Sequence, residues 1–211
     1  MIRNNVEVDP ASYKEAVDLF KFYGLNSQEA LRIAINKTVP KVRTASVSAI
    51  RSQVRLSAAY VRERLTIKRA NKTDMSAAIR TPRRGMLMSR YSTDSQVASE
   101  KIRWFRPPPV PKRGIKIKIK PKGQIENAPI EDGNKPFYLV LKTSHALGIA
   151  ARIGKTKELK VFHSPSISQV FSGVREDVLP DANRELTKQM IDAMRYLAQK
   201  RLPLENEGAD E

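Results

Sequence analysis

The stretch KPFYLVLKTSHALGIAARIGKTKELKVFHSPSISQVF, residues 135–171, carries the clearest structural pattern in the chain. Three apolar runs, Phe137–Leu141, Leu147–Ile153 and Leu159–Phe162, are separated by short polar segments. Runs of this length with small turn segments between them are typical of an antiparallel β-meander. A Ser-Pro-Ser corner at 164–166 ends the last predicted strand, because proline has no N–H to donate to a ladder.

The apolar residues of this stretch are candidates for the core or for an interface. Alternation along a strand places every second side chain on one face, and helical spacing resumes after the corner. The selected residues are Phe137, Leu139, Ile149, Val161, Pro165, Ile167, Val170 and Phe171. Further residues expected in the core are Leu141, Ile153 and Leu159.

Helical patterns precede the stretch. An apolar stripe at residues 10–23 predicts one amphipathic helix, and a second begins near Asn26 and runs to about Val54. Pro40 is expected to kink this second helix or to break it in two, because proline removes a helical hydrogen bond. A short helix is predicted at 58–65.

A helical pattern also follows the stretch. Apolar residues after the corner predict a short helix or turn as far as Leu179, and then a helix over about 181–201. Pro180 is expected to separate these two elements, and Pro203 is expected to end the second. The tail at 204–211 is acidic and is expected to fray.

The middle of the chain contains short β patterns and one proline-rich segment. Residues 66–81 predict a hairpin with a four-residue turn at 71–74. The prolines within residues 104–113 favour an extended segment that lies outside the core, since proline cannot supply ladder donors.

Isoleucine and lysine alternate strictly through residues 114–120. A period of two predicts a half-buried strand with its isoleucines on one face and Lys116, Lys118 and Lys120 on the other. This lysine row could face a polyanion, or it could equally protect an edge strand against aggregation.

The net charge of +17 is unevenly distributed along the 211 residues. Residues 36–125 contain 23 lysines and arginines against four aspartates and glutamates, and the remainder is close to neutral. Clustered positive charge is typical of a protein that meets nucleic acid, although a solvated basic face or an acidic protein neighbour explains it equally well. The candidate DNA-facing residues are Arg83, Arg84, Lys112, Arg113, Lys116, Lys118 and Lys120.

The composition argues against several classes of function. The chain has no cysteine, which excludes disulfides and thiolate metal sites and fits synthesis in a reducing cytoplasm. His145 and His163 have no evident triad partners, and the acids of the basic region are not grouped to hold a metal. We therefore expect no enzyme activity, no cofactor and no metal. We also expect no membrane partner, because the sequence has no run of 18 or more apolar residues.

Two parts of the sequence resemble the minor tail protein Z family of long-tailed phages. In the meander, the matching residues are Pro136, Phe137, His145, Gly148, Arg152, Gly154, Lys155 and the corner residues Ser164, Pro165, Ser166 and Ile167. Upstream, the matching segments are residues 34–38 and 61–70. The order of the remaining predicted elements is compatible with this family.

The resemblance implies an α+β protein in which an antiparallel or mixed β-sheet is flanked by N-terminal and C-terminal helices. Members of this family complete the head-proximal end of the tail in lambda-like phages. The resemblance therefore implies a structural protein of the virion neck, made in the host cytoplasm, that forms a homo-oligomeric, hexameric ring around double-stranded DNA. The implied protein partners are the tail tube, the tail terminator and the head–tail connector.

The order of patterns divides the chain into four parts. These are an N-terminal helical segment at 1–65, a β-rich core at 66–163 with an extended arm at 104–122, a C-terminal helical segment at 164–203, and an acidic disordered tail at 204–211. An alternative function is a free basic nucleic-acid-binding or packaging factor. The scarcity of aromatic residues in the basic half argues against a factor that stacks on single-stranded bases.

Overall fold

The computed structural model describes residues 27–98 and 107–206, with side chains described as far as residue 200 except at residues 27, 96 and 98. The helix predicted at 10–23 and the last residues of the acidic tail lie outside the described residues. By their internal contacts the described residues form two compact units. The first comprises residues 27–49, 62–81 and 173–206, and the second comprises residues 50–61, 82–98 and 107–172.

Helices lie at both ends of the described chain, and short antiparallel sheets lie between them. The helices are α1 (Ser27–Gln53), α2 (Ala58–Arg64), α3 (Ser95–Ala98) and α4 (Ile167–Asn206), with a 3₁₀ turn at Met88–Tyr91. The strands are β1 (Thr66–Lys68), β2 (Ala78–Arg80), β3 (Met86–Leu87), β4 (Lys116–Ile117), β5 (Glu126–Asn127), β6 (Phe137–Val140), β7 (Leu147–Arg152), β8 (Leu159–Val161) and β9 (His163–Ser164). The expected α+β class is confirmed. The described strands form four small antiparallel sheets, β1–β2, β3–β9, β4–β5 and β6–β7–β8.

Helix α1 continues through Pro40, so of the two expected outcomes, a kink or a break into two helices, the break does not occur. Proline inside a helix costs about 3 kcal/mol, because it lacks an N–H and crowds the preceding turn. Val39 and Val42 on either side of Pro40 are buried, and the burial of such side chains offsets this cost.

Helix α4 begins at a reciprocal cap. The backbone N–H of Gln169 donates to Ser166 Oγ at 3.1 Å, and the N–H of Ser166 donates to Gln169 Oε1 at 2.8 Å. This capping box satisfies two donors that the first turn leaves without a helical partner. The Ser-Pro-Ser corner therefore both ends the meander and starts the helix.

The expected interruptions of α4 are also wrong. The helix runs for 40 residues through Pro180 and through Pro203. Val174, Val178 and Ala182, which lie around Pro180, are buried, so packing offsets the hydrogen bond that the proline removes.

The two long helices pack together within the first unit. Ala30 of α1 and Ala193 of α4 are fully buried, and four partly buried apolar side chains pack against them: Ile33, Met190, Met194 and Leu197. The apolar side chains around the two alanines bury the contact between the helices.

The hairpin β1–β2 is confirmed, with Thr66 opposite Arg80 and Lys68 opposite Ala78. Its turn is longer than the predicted four residues, since the loop occupies residues 69–77. Polar side chains shape this loop: Asn71 Oδ1 accepts from the N–H of Asp74 at 2.7 Å. A local hydrogen bond between side chain and backbone competes with the hydrogen bonds of the β-ladder, which shortens the strands.

The meander is confirmed in the order β6–β7–β8. The central strand β7 is its most buried part, with Ile149, Ala150 and Ala151 fully buried. Leu159 is 41% exposed at the start of β8, so its expected place in the core is wrong. Since β8 hydrogen-bonds to β7 alone among the described strands, it lies at the margin of the sheet, where a leucine can remain in water.

The candidate core or interface residues differ in burial. Ile149, Ile167 and Phe171 are buried. Half-buried positions are held by Phe137, Leu139, Val161 and Val170, and Pro165 is exposed. The described part of the proline-rich segment, residues 107–111, contains no helix and no buried residue, which confirms that this part lies outside the core.

Candidate functional site

The isoleucine–lysine segment, residues 114–120, forms a short ladder with β5. Lys116 lies opposite Asn127, and Ile117 lies opposite Glu126. The ladder is extended by the N–H of Ala128, which donates to the carbonyl of Ile115 at 2.8 Å. Regular strand geometry covers only residues 116–117, so the predicted strand over 114–120 is too long.

The opposite side of this segment is also hydrogen-bonded. The N–H of Thr93 donates to the carbonyl of Lys116 at 2.9 Å, and the N–H of Lys118 donates to the carbonyl of Tyr91 at 2.8 Å. The interpretation of the lysines as protection for an edge strand is therefore wrong at residues 116–118, because both sides of the backbone already have partners. The lysine row needs another explanation.

Burial alternates along the segment as the sequence predicts. Ile115 and Ile117 are 1% and 3% exposed, whereas Lys116 and Lys118 are half-buried and Lys120 is exposed. Lysine can lay its methylene stem along an apolar surface while its ammonium group stays in water. The buried isoleucines thus anchor a backbone from which the lysine amines can reach outward.

The other basic candidates lie on separate parts of the same unit. Lys112 and Arg113 are exposed in a turn just before the segment, where the N–H of Gly114 donates to the carbonyl of Pro111 at 2.8 Å. Gly114 has a φ of 76°, a conformation that favours glycine. Arg83 and Arg84 are exposed just before β3, and no hydrogen bond among the described residues joins them to the lysine row.

Two further arginines, Arg55 and Arg90, lie beside the segment and were not among the candidates. The N–H of Arg55 donates to the carbonyl of Ile119 at 2.7 Å, and Arg90 directly precedes Tyr91, whose carbonyl binds Lys118. Arg55 lies beyond the end of α1, which ends at Gln53. Because these contacts join residues far apart in the chain, sequence spacing could not reveal them.

Arg55 and Arg90 line an open cleft of about 560 Å³ in the second unit. The guanidinium carbon of Arg90 lies 3.9 Å from the ring centre of Tyr60, a cation–π contact that holds the arginine in place. Serine hydroxyls and apolar side chains complete the lining: Leu56, Ser57, Leu87, Ser89, Ser92, Val97, Ala146 and Leu147.

Buried polar contacts fix the 3₁₀ turn that carries Arg90. The hydroxyls of Ser92 and Tyr138 lie 2.8 Å apart, and the hydroxyl of Ser89 donates to the carbonyl of Leu147. Burial raises the pKa of the Tyr138 phenol, while its contact with Ser92 acts in the opposite direction. The phenol therefore stays neutral near pH 7 and acts as a hydrogen-bonding group of the scaffold.

The second unit as a whole is strongly basic. Its described residues contain 17 lysines and arginines against five aspartates and glutamates. No group of three or more potential metal ligands occurs among the described residues. None of the described helices is long and apolar enough to cross a membrane. The second unit therefore has a cationic surface and a cleft lined by both polar and apolar side chains.

The helices, the small sheets and the excess of lysine and arginine together define a basic α+β protein with a cationic surface. A family profile described as prophage minor tail protein Z (GPZ) matches residues 24–202, which is most of the chain. The chain therefore belongs to the prophage minor tail protein Z family, a family of structural phage tail proteins. No curated protein and no solved structure matches the chain.

Membership of this family makes the chain a phage minor tail protein and indicates a place in the virion tail, among other tail components. The match covers more of the chain than the two resembling segments and includes most of both long helices and the isoleucine–lysine segment.

Proposed function

We propose that this minor tail protein completes the head-proximal end of the phage tail, at the head–tail junction. In this proposal, identical subunits form a hexameric ring around the DNA channel. The ring docks to the tail tube and tail terminator on one side and to the head–tail connector on the other. The work is steric and electrostatic, with no chemical step.

The lysine row, Lys116, Lys118 and Lys120, carries the DNA-facing part of the proposal. The supporting observation is that the backbone at 116–118 is hydrogen-bonded on both sides, so its lysines are not needed to protect an edge. Duplex DNA presents about one phosphate charge per 1.7 Å along its axis, and lysines that meet these phosphates release counterions. Such contacts hold DNA of any sequence, as a channel for a whole genome requires.

The remaining candidate residues are proposed either to extend the DNA-facing surface or to contact neighbouring subunits. Arg83, Arg84, Lys112 and Arg113 are exposed and extend the cationic surface of the second unit. Pro165 and Val170, which the fold leaves exposed and half-buried, are proposed for contacts between subunits. The four-part division of the chain stays a prediction.

Replacement of the three lysines by glutamine tests the DNA-facing surface. Because Ile115 and Ile117 anchor the segment, the triple variant is expected to fold and to keep the mass of the assembled ring. It is expected to lower the yield of virions that retain DNA. A matched variant with Lys142, Lys155 and Lys157 replaced by glutamine removes three exposed lysines from the meander and is expected to leave that yield unchanged. Equal loss in both variants would contradict a specific role for the row.

A free nucleic-acid-binding factor remains the alternative function. The mass of the protein in solution distinguishes such a factor from a ring. A ring held by protein contacts keeps its mass at high salt in size-exclusion chromatography with light scattering. A free binding factor is a monomer whose DNA affinity falls steeply with salt, because counterion release drives its binding.

A further inference from the structure

The cleft in the second unit carries unpaired positive charge. In the described residues neither Arg55 nor Arg90 forms an ion pair, and both are exposed. Among the side chains that the structure describes, no acidic one lines the cleft. Because Arg90 stacks on Tyr60, its guanidinium edge is left available for a carboxylate or a phosphate.

The walls of the cleft favour a peptide over a phosphodiester chain. Leu56 is buried, and Leu87 and Leu147 are half-buried. Together they give an apolar surface beside the two arginines. A phosphodiester backbone has little apolar surface to bury there, whereas an acidic peptide with leucines can satisfy both parts of the cleft. A cleft of about 560 Å³ has the size of a typical ligand site.

The chain itself contains a segment of this chemistry. Residues 202–211, LPLENEGADE, hold four acids, no base and two leucines. A ring of identical subunits needs a heterologous contact, in which one patch of each subunit binds a different patch of the next. A basic cleft and an acidic C-terminal segment are two such patches on a single chain.

We propose that the acidic C-terminal segment of a second copy binds in the Arg55–Arg90 cleft. This inference rests on the ring proposed above and supplies one of its contacts between subunits. The carboxylates meet the two guanidinium groups, and one leucine of the segment meets the apolar wall. The contact is charge-assisted, so it weakens as salt screens the pair.

Binding of a labelled peptide tests the cleft directly. The probe is a fluorescent peptide of residues 202–211, and the receptor is the full chain with Glu205, Glu207, Asp210 and Glu211 replaced by glutamine or asparagine, so that its own segment does not compete. Saturable binding is expected by fluorescence anisotropy. Replacement of Arg55 and Arg90 by glutamine in this receptor is expected to weaken it at least tenfold.

A matched arginine pair controls for general attraction between opposite charges. Arg83 and Arg84 are exposed on the same unit but do not line the cleft, so their replacement by glutamine is expected to change affinity less than twofold. Equal weakening by both pairs would overturn the proposal, as would the absence of saturable binding. Circular dichroism of each variant verifies that the fold is retained.

Disulfide trapping tests whether the segment comes from a second copy. The natural chain has no cysteine, so single replacements Ala146→Cys in the cleft and Ala209→Cys in the tail are the sole thiols. Mixing the two variants under mild oxidation is expected to give a cross-linked heterodimer. Thr156→Cys, exposed on the turn after β7, replaces Ala146→Cys as the control and is expected to give far less. Equal yields from the two positions would overturn the proposal.

These experiments separate the inference from the ring on which it rests. Peptide binding and trapping are measured on the purified chain and need no virion. If the peptide fails to bind while the ring keeps its mass, the inference is wrong and the ring uses other contacts. If the peptide binds and traps but the ring does not form, the neck ring is wrong and the contact between copies stands.

Discussion

Asn36 joins two parts of the chain that are far apart in sequence. Its Nδ2 donates to the carbonyl of Ala70 at 2.9 Å, and its Oδ1 accepts from the N–H of Ala70 at 2.9 Å. A single side-chain amide thus satisfies both backbone groups of a buried residue, much as a neighbouring strand would. Asn36 and Ala70 lie in the two upstream segments, 34–38 and 61–70, that resemble the family. The contact between them gives a physical reason why the two segments occur together.

Replacement of Asn36 by leucine is expected to destabilise the protein by about 2–4 kcal/mol, because two hydrogen bonds are lost and the backbone groups of Ala70 are left buried without them. Urea unfolding followed by circular dichroism measures the change. Lys37→Ala, an exposed neighbour on α1, is the control and is expected to change stability by less than about 0.5 kcal/mol. A similar effect of both replacements would contradict the assigned role of Asn36.

Replacement of glycine by alanine is expected to have opposite effects on stability at two positions. A Cβ on Gly85 would lie 3.0 Å from the carbonyl oxygen of Ser164 and 3.1 Å from Cβ of His163, so Gly85→Ala is expected to cost about 1–3 kcal/mol. A Cβ on Gly173, inside α4, would meet nothing within 4 Å, so Gly173→Ala is expected to gain about 1 kcal/mol from helix propensity. Thermal melts of the two variants should shift in opposite directions. A shift in the same direction would show that the β3–β9 approach is looser than described.

At the level of elements, the sequence predicted the meander because its signal is local. Apolar runs separated by turns specify β6, β7 and β8 without knowledge of the rest of the chain. The same local reasoning failed at Pro180, where burial of neighbouring side chains offsets the cost of a proline in a helix. Tertiary packing is not visible in a spacing pattern.

At the candidate surface, too, the sequence predicted the features that depend on neighbouring residues and missed those that depend on residues distant in the chain. Alternation predicted that Ile115 and Ile117 are buried and that the lysines between them are less so. The partners of this backbone at Tyr91 and Thr93 lie more than 20 residues away in sequence, so the choice between an edge strand and an interior one had to stay open. The cleft at Arg55 and Arg90 depends on the same distant contacts and left no signal beyond positive charge.

The meander makes a prediction at this scale. Ile149 is fully buried in β7, so Ile149→Ala is expected to cost about 2–5 kcal/mol through lost burial and a cavity. Leu159→Ala, in the adjacent strand but 41% exposed, is expected to cost much less. Equilibrium unfolding of both variants tests the difference, and comparable losses would contradict the assigned burial of the sheet.

At the scale of the whole molecule, charge and family membership support one account. The described residues of the basic unit hold 17 cations and five acids, an excess that costs self-repulsion unless an anionic partner relieves it. In the proposed ring around the genome channel, DNA is the abundant polyanion. The proposed contact between the acidic segment and the cleft would relieve part of the same repulsion between subunits.

Electron microscopy of virions that carry a label on this protein tests the central claim most directly. A fusion tag after residue 211 can be labelled with gold and its position measured along the tail. The account predicts that the label lies at the head–tail junction and repeats around the tail axis, as a ring requires. A label along the tail tube or at the distal tip would contradict the proposed place in the neck, although the chain would remain a minor tail protein.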